Sequence, residues 1–353
     1  MRVRRGLAAA LSLACAVALA QDSAQNSIPT FRENVHLVRV LATVKDASGA
    51  LVGSMEKSDF EVRDNGVPQE IAVFERQTEQ PLSIAVLIDA SASTAIDLKY
   101  ETESVTRFVK ALVRSGNPAD AASLYSFNWE VVQQTGFIRN PGMIERRLRE
   151  LRNTGGTALY DAILLASRDI EDRQGRKVLI VVTDGGDTVS HASFDRAAEA
   201  AQLADAVIFP VLVVPISNNA GRNTGGENAL TTLAERTGGR VAQPTVGKEM
   251  DQAFDGILRD LRTQYLLGFY PKNVPPTKER FHTLTVTGIG RADSSWHISA
   301  RSGYYGEALP AAGASRSSSE GVSLGSPDET VRGKKPASKS TRPGTSKTGR
   351  GTR

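Results

Sequence analysis

Between Ser83 and Leu261 the chain repeats one pattern, short and largely apolar runs separated by amphipathic stretches. The runs Ile84–Ile88, Ala121–Phe127, Val178–Val182 and Val207–Val214 read as buried strands. The stretches Ile96–Val113, Met143–Leu151, Leu159–Ile170, Phe194–Leu203, Ala229–Arg236 and Lys248–Leu261 carry apolar residues at helical spacing, and a short strand is expected near Arg240–Ala242. Strands that alternate with helices cannot be joined by tight hairpins, so they lie parallel and the helices cover the sheet. The pattern predicts an α/β fold on a doubly wound, mostly parallel, Rossmann-like sheet over about residues 81–262.

On either side the period changes to that of half-buried strands. Val35–Val44 is rich in β-branched residues and ends in the turn Lys45–Gly49. Asp59–Arg63 and Gln69–Phe74 flank Asn65-Gly66, a hairpin signal because both residues tolerate positive φ. After the last helix, Tyr265–Tyr270, Phe281–Thr287 and Trp296–Ala300 read as strands again. Two small β segments would each leave unpaired edges. The expectation is therefore one discontinuous, sandwich-like all-β unit made of residues 31–77 and 263–305.

The ends have a different character. Met-Arg-Val-Arg-Arg, an apolar run from Leu7 to Ala20 and polar Gln21-Asp22-Ser23 read as a cleavable secretory signal over residues 1–20, followed by a polar lead-in over 21–30. Cys15 is the only cysteine and lies in that signal, so the mature chain relies on core packing rather than disulfides. From residue 306 to 353 large apolar residues almost vanish, and a disordered tail is expected. Arg332–Arg353 holds eight basic and no acidic residues, which suits contact with anionic envelope polymers or simple solvation. The formal charge of +4 belongs to these ends, and residues 21–306 carry −4. A slightly acidic folded region lacks the clustered Lys and Arg of a nucleic-acid surface.

Three loops gather oxygen-bearing side chains. Ile84–Ile88 delivers Asp89-Ala90-Ser91-Ala92-Ser93 at its carboxyl end, where open α/β sheets place ligands. One carboxylate and two hydroxyls separated by small residues form a donor set suited to a hard cation. Asn153-Thr-Gly-Gly-Thr157 has two glycines that let the Thr157 hydroxyl turn inward. Thr183-Asp184-Gly-Gly186 follows the strand Val178–Val182, so Asp184 faces the same crevice as Asp89. Taken singly, each piece reads as an ordinary cap or turn.

Together the pieces resemble the metal-ion-dependent adhesion site of von Willebrand factor A domains, a DxSxS loop, a Thr after Gly-Gly and an Asp closing a later strand. The resemblance implies that Asp89, Ser91, Ser93, Thr157 and Asp184 hold one divalent cation, Mg2+ with Mn2+ or Ca2+ as substitutes. It further implies that Asp89 and the serines bind it directly or through water, that Thr157 joins in the ligand-competent state and that Asp184 acts from behind. An open position would take an Asp or Glu carboxylate of a protein partner. The flanks Ser58–Ile71, Tyr265–Pro271 and Ala300–Tyr305 resemble the exported bacterial proteins called VWFA-related, familiar from acidobacteria, over residues 31–306.

Other chemistries fit less well. A haloacid-dehalogenase-like nucleophile at Asp89 needs a second acid where Ser91 stands. His36, His191, His282 and His297 lack the i, i+4 spacing of a zinc pair. Gly288-Ile-Gly-Arg-Ala-Asp293 lacks the third glycine of a dinucleotide fingerprint and reads as a turn. A hydrolase would need a general base, for which Asp187 is the nearest candidate, and a metal-free assembly scaffold would use the same residues as caps. No nucleophile and base pair occupies these loops, so the expectation is a binding protein without turnover.

Overall fold

The computed structural model describes residues 37–76, 80–213, 224–275, 280–289 and 296–306. The signal-peptide, lead-in and tail assignments lie outside these residues. The described strands are β1 (Val38–Lys45), β2 (Phe60–Asp64), β3 (Val67–Gln69), β4 (Ile71–Arg76), β5 (Leu82–Asp89), β6 (Ala121–Phe127), β7 (Val131–Ile138), β8 (Arg176–Thr183), β9 (Ala206–Leu212), β10 (Tyr265–Phe269), β11 (Phe281–Gly288), β12 (His297–Ala300) and β13 (Gly303–Tyr305). The α-helices are α1 (Leu98–Ser115), α2 (Pro141–Glu150), α3 (Leu159–Ile170), α4 (Phe194–Leu203), α5 (Thr224–Thr237) and α6 (Lys248–Thr263).

The central sheet runs β7-β6-β5-β8-β9. β6, β5, β8 and β9 are parallel, and β7 adds an antiparallel edge. Alternation along β5 explains its continuous hydrophobicity. Ile84, Val86 and Ile88 enter a core shared with Val105 and Phe108 of α1, Ile144 of α2 and Phe254 of α6. Ala85 and Leu87 enter the opposite core with Ile163 of α3, Ala197 of α4 and Leu230 of α5. A strand buried on both faces leaves no place for a charged side chain until its end, and there stands Asp89. The chain leaves β5 for β6 on one side and later reaches β8 and β9 on the other. The carboxyl ends of β5 and β8 therefore border the crevice where such sheets bind ligands.

Several elements differ from expectation. The helix expected from Ile96 is split into a 3-10 turn at Ser93–Ile96 and α1, which starts at Leu98. The Thr94 hydroxyl lies within hydrogen-bond reach of the Asp89 and Ser91 carbonyls, at 3.0 and 3.1 Å, and that tightens the first turn. The stretch Gln69–Phe74 divides, because β3 closes a hairpin on β2 while β4 joins another sheet. β7 and β13 carry no strong sequence pattern, since β7 is an edge strand whose burial does not alternate and β13 is three residues long. The strand expected near Arg240–Ala242 is a single bridge between Ala242 and Val211.

The flanking strands form two antiparallel sheets, β12-β1-β10-β4 and β13-β11-β2-β3. Each contains strands from before and after the parallel sheet. Val40, Val62, Tyr265, Leu267, Phe269 and Leu284 share their core. The turn between β2 and β3 uses Asn65 at φ 47° and Gly66 at φ 80°, the geometry for which Asn-Gly is suited. A polar group also sits inside, where Asp64 accepts from the Tyr304 hydroxyl at 2.7 Å and lies 3.0 Å from His282 Nδ1. Contacts reach the parallel-sheet region through Gln264, whose amide donates to Thr43 Oγ1 at 3.1 Å, and through the ion pair of Arg301 with Asp205 at 2.7 Å.

Candidate functional site

Asp89 ends β5 with no exposed surface. Its Oδ1 accepts from the Ser91 backbone N–H at 2.8 Å, and its Oδ2 accepts from the Thr183 hydroxyl at 2.6 Å. The second bond ties the carboxyl ends of β5 and β8 together. Burial pushes the Asp89 carboxyl up to about 6, with the Asp184 charge adding to the rise and the Thr183 and Ser91 bonds opposing it. None of the influences on it is a basic residue.

The next loop closes over this carboxylate. The Ser91 and Ser93 hydroxyl oxygens lie 3.0 Å apart. Ser91 is buried and Ser93 is exposed, so the pair runs from the interior to solvent. The loop carrying Thr157 is fastened to it, with Thr154 N–H donating to the Ala90 carbonyl at 2.9 Å and Ala92 N–H to the Gly155 carbonyl at 3.3 Å. Gly155 adopts φ 74°, and a Cβ there would meet the Trp129 ring at 2.7 Å. Thr157 is held from behind, its N–H donating to Thr188 Oγ1 at 2.8 Å and its carbonyl accepting Thr188 N–H at 2.9 Å. Asp184 follows Thr183 at the rim, half-buried, and its charge acts on Asp89 and Asp97.

The structure thus places Asp89, Ser91, Ser93, Thr157 and Asp184 on three mutually bonded loops at one end of the parallel sheet. Four further residues complete the arrangement. Asn153 donates to the Ser91 carbonyl at 3.0 Å and to Thr94 Oγ1 at 2.7 Å, bridging two loops with one amide. Thr183 holds Asp89, and Gly226 lets α5 pack against the loop after β8, because a Cβ on Gly226 would come within 2.3 Å of the Gly186 Cα. Thr94 and Thr183 adjoin motif positions, and Asn153 opens the Gly-Gly loop, but each has a partner on another loop and no local spacing shows these cross-loop bonds.

Among the described residues no group of three or more His, Cys, Asp or Glu side chains is drawn together as a metal cluster. An ion here would instead rest on hydroxyl oxygens with Asp89 and Asp184. The donor set fits a hard divalent cation, because every side chain offers oxygen and the buried Asp89 carboxyl has no basic neighbour to balance it. Asp187 is otherwise employed. Its oxygens accept from Tyr160 N–H at 3.3 Å, Ser190 N–H at 3.3 Å and the Ser190 hydroxyl, fastening the 187–190 loop to the first turn of α3. His191 lies beside Asp161 and His282 beside Asp64.

Residues 84–186 match the family model described as von Willebrand factor type A domain. No curated protein matches the sequence. Similar solved structures include the conserved hypothetical protein BatB from Bacteroides thetaiotaomicron, at 18% identity and TM-score 0.42 over 51% of this chain and 98% of that one. The vWF domain of a type V pili tip protein from Porphyromonas gingivalis is similar at 14% identity and TM-score 0.42, over 51% and 95%. Proximal thread matrix protein 1 from the mussel byssus is similar at 16% identity and TM-score 0.46, over 57% and 50%. The family match spans β5 through β8 and all three loops, so this chain carries a von Willebrand factor type A domain.

Proposed function

We propose that this chain is an exported binding protein that holds one divalent cation, Mg2+ with Mn2+ or Ca2+ as substitutes, among Asp89, Ser91, Ser93, Thr157 and Asp184. A protein partner supplies an Asp or Glu carboxylate to the open position, and the chain carries out no turnover of its own. The observation that carries this reading is Asp89, a fully buried carboxyl with only neutral donors, at the point where three loops meet. A buried charge without a counter-charge is costly, and an opposite charge at that point relieves the cost. A bound cation supplies a positive, exchangeable position for a carboxylate oxygen. Ser93, exposed at the rim, leaves that position accessible from solvent. The leader-like residues 1–20 support export, and the basic tail suits contact with anionic envelope polymers.

Isothermal titration with Mg2+ or Mn2+ tests the cation. Saturable binding to the wild type and its loss in Asp89→Ala are expected, and equal binding by both overturns the reading. A partner captured from the native envelope should be released by chelator. A second reading, a metal-free scaffold, is favoured by the internal bonds of Asp89 to Ser91 and Thr183, which close the loop without an ion. Partner capture that survives both chelator and Asp89→Ala selects it.

A further inference from the structure

Glu101 sits in the first turn of α1 and has no exposed surface. Neither carboxylate oxygen has a hydrogen-bond partner among the described residues. A glutamate in a first turn ordinarily serves as a cap, reaching back to the backbone N–H of the residue before the helix. Here both oxygens lack that bond, so capping does not account for it. Burial drives its carboxyl well above the usual range, and the charges that act on it are those of Asp89, Asp184 and Asp97, all acidic. The helix α1 begins directly after the Asp89–Ser93 loop, so its first turn places this buried, unpartnered carboxyl close behind the crevice, in a position where an apolar residue would cost less.

We propose that Glu101 is a further carboxylate of the cation site, facing the water shell of a hydrated divalent cation from behind Asp89. This rests on the cation reading given above. With Asp89 and Asp184 it offers a third carboxylate, ionised as a cation binds, to a site otherwise built of neutral hydroxyls, and so favours divalent over monovalent ions. It acts as a positioning residue, holding the ion's water rather than the partner. The water shell of a bound cation would supply hydrogen-bond donors to both Glu101 oxygens.

Glu101→Gln and Glu101→Asp separate charge from volume, and both are titrated with Mg2+ and Mn2+ beside the wild type and Asp89→Ala. Gln keeps the size and removes the charge, whereas Asp keeps the charge and shortens the arm. A site role predicts a loss of affinity of about tenfold or more in Glu101→Gln, partly restored in Glu101→Asp. Cation-free Glu101→Gln should melt no lower than wild type, with a smaller rise in Tm on adding Mg2+. A space-filling role predicts the reverse order, with Gln tolerated and Asp damaging. Wild-type affinity in Glu101→Gln, with Asp89→Ala silent, overturns the Glu101 proposal and leaves the five-residue site standing. Retained binding by Asp89→Ala overturns the underlying reading instead. If Glu101→Gln does not fold, a folded Glu101→Asp that binds the ion upholds the need for charge, and one that does not bind overturns it.

Discussion

Asn153 joins two loops with a single amide, one hydrogen to the Ser91 carbonyl and one to Thr94 Oγ1. Removing it takes away one of the two donors near the buried Ser91 carbonyl and one of the ties between the two loops. Asn153→Ala should lower unfolding free energy by about 1–3 kcal/mol in urea titration. It should also weaken cation binding, although the side chain is not a ligand. Stability loss with unchanged affinity would show that the loop keeps its shape without this tie. The five candidate ligands were legible as residues because they recur in a spaced motif. Asn153, Thr183 and Glu101 were not, because each acts on a residue far away in sequence and nothing in its own neighbourhood marks it.

At the scale of elements, two glycines with the same backbone habit should behave differently. Gly66 has φ +80° with open space around it, while Gly155 has φ +74° with the Trp129 ring against it. Alanine at either position meets left-handed strain of about 1–2 kcal/mol. Gly66→Ala should lose about that much stability with cation affinity intact, since the β2–β3 turn lies outside the site loops. Gly155→Ala should also reduce affinity, because displacing Trp129 moves the loop that carries Thr157. Thermal melts and titration on both variants check the contrast. Helices α3 and α4 fall where their apolar spacing placed them, since three or more turns of one face fix both type and phase. β7 escaped notice because an edge strand facing solvent needs no alternation strong enough to read.

In the whole molecule, β10 emerges one residue after α6 and inserts between β1 and β4, strands that the chain laid down some two hundred residues earlier. The long excursion through the parallel sheet thus returns to close a sheet begun before it. Leu267 lies at the middle of β10 with no exposed surface. Leu267→Ala should cost about 2–5 kcal/mol of stability, measured by denaturant unfolding, while the folded fraction keeps wild-type cation affinity. Altered affinity at constant folded fraction would mean that these sheets and the crevice are coupled.

Periodicity and spacing in the sequence alone determined the α/β class, the doubly wound order of buried strands and amphipathic helices, and the three loops with oxygen-bearing side chains. Those features depend on contacts within a turn or a strand, which neighbouring residues specify. Tertiary structure alone decided which flanking strands pair, that Asp89 and Glu101 are buried among acids without a base, and which side chains lock the loops together. Pairing partners and burial depend on groups brought together from distant parts of the chain, and no local pattern encodes their distance.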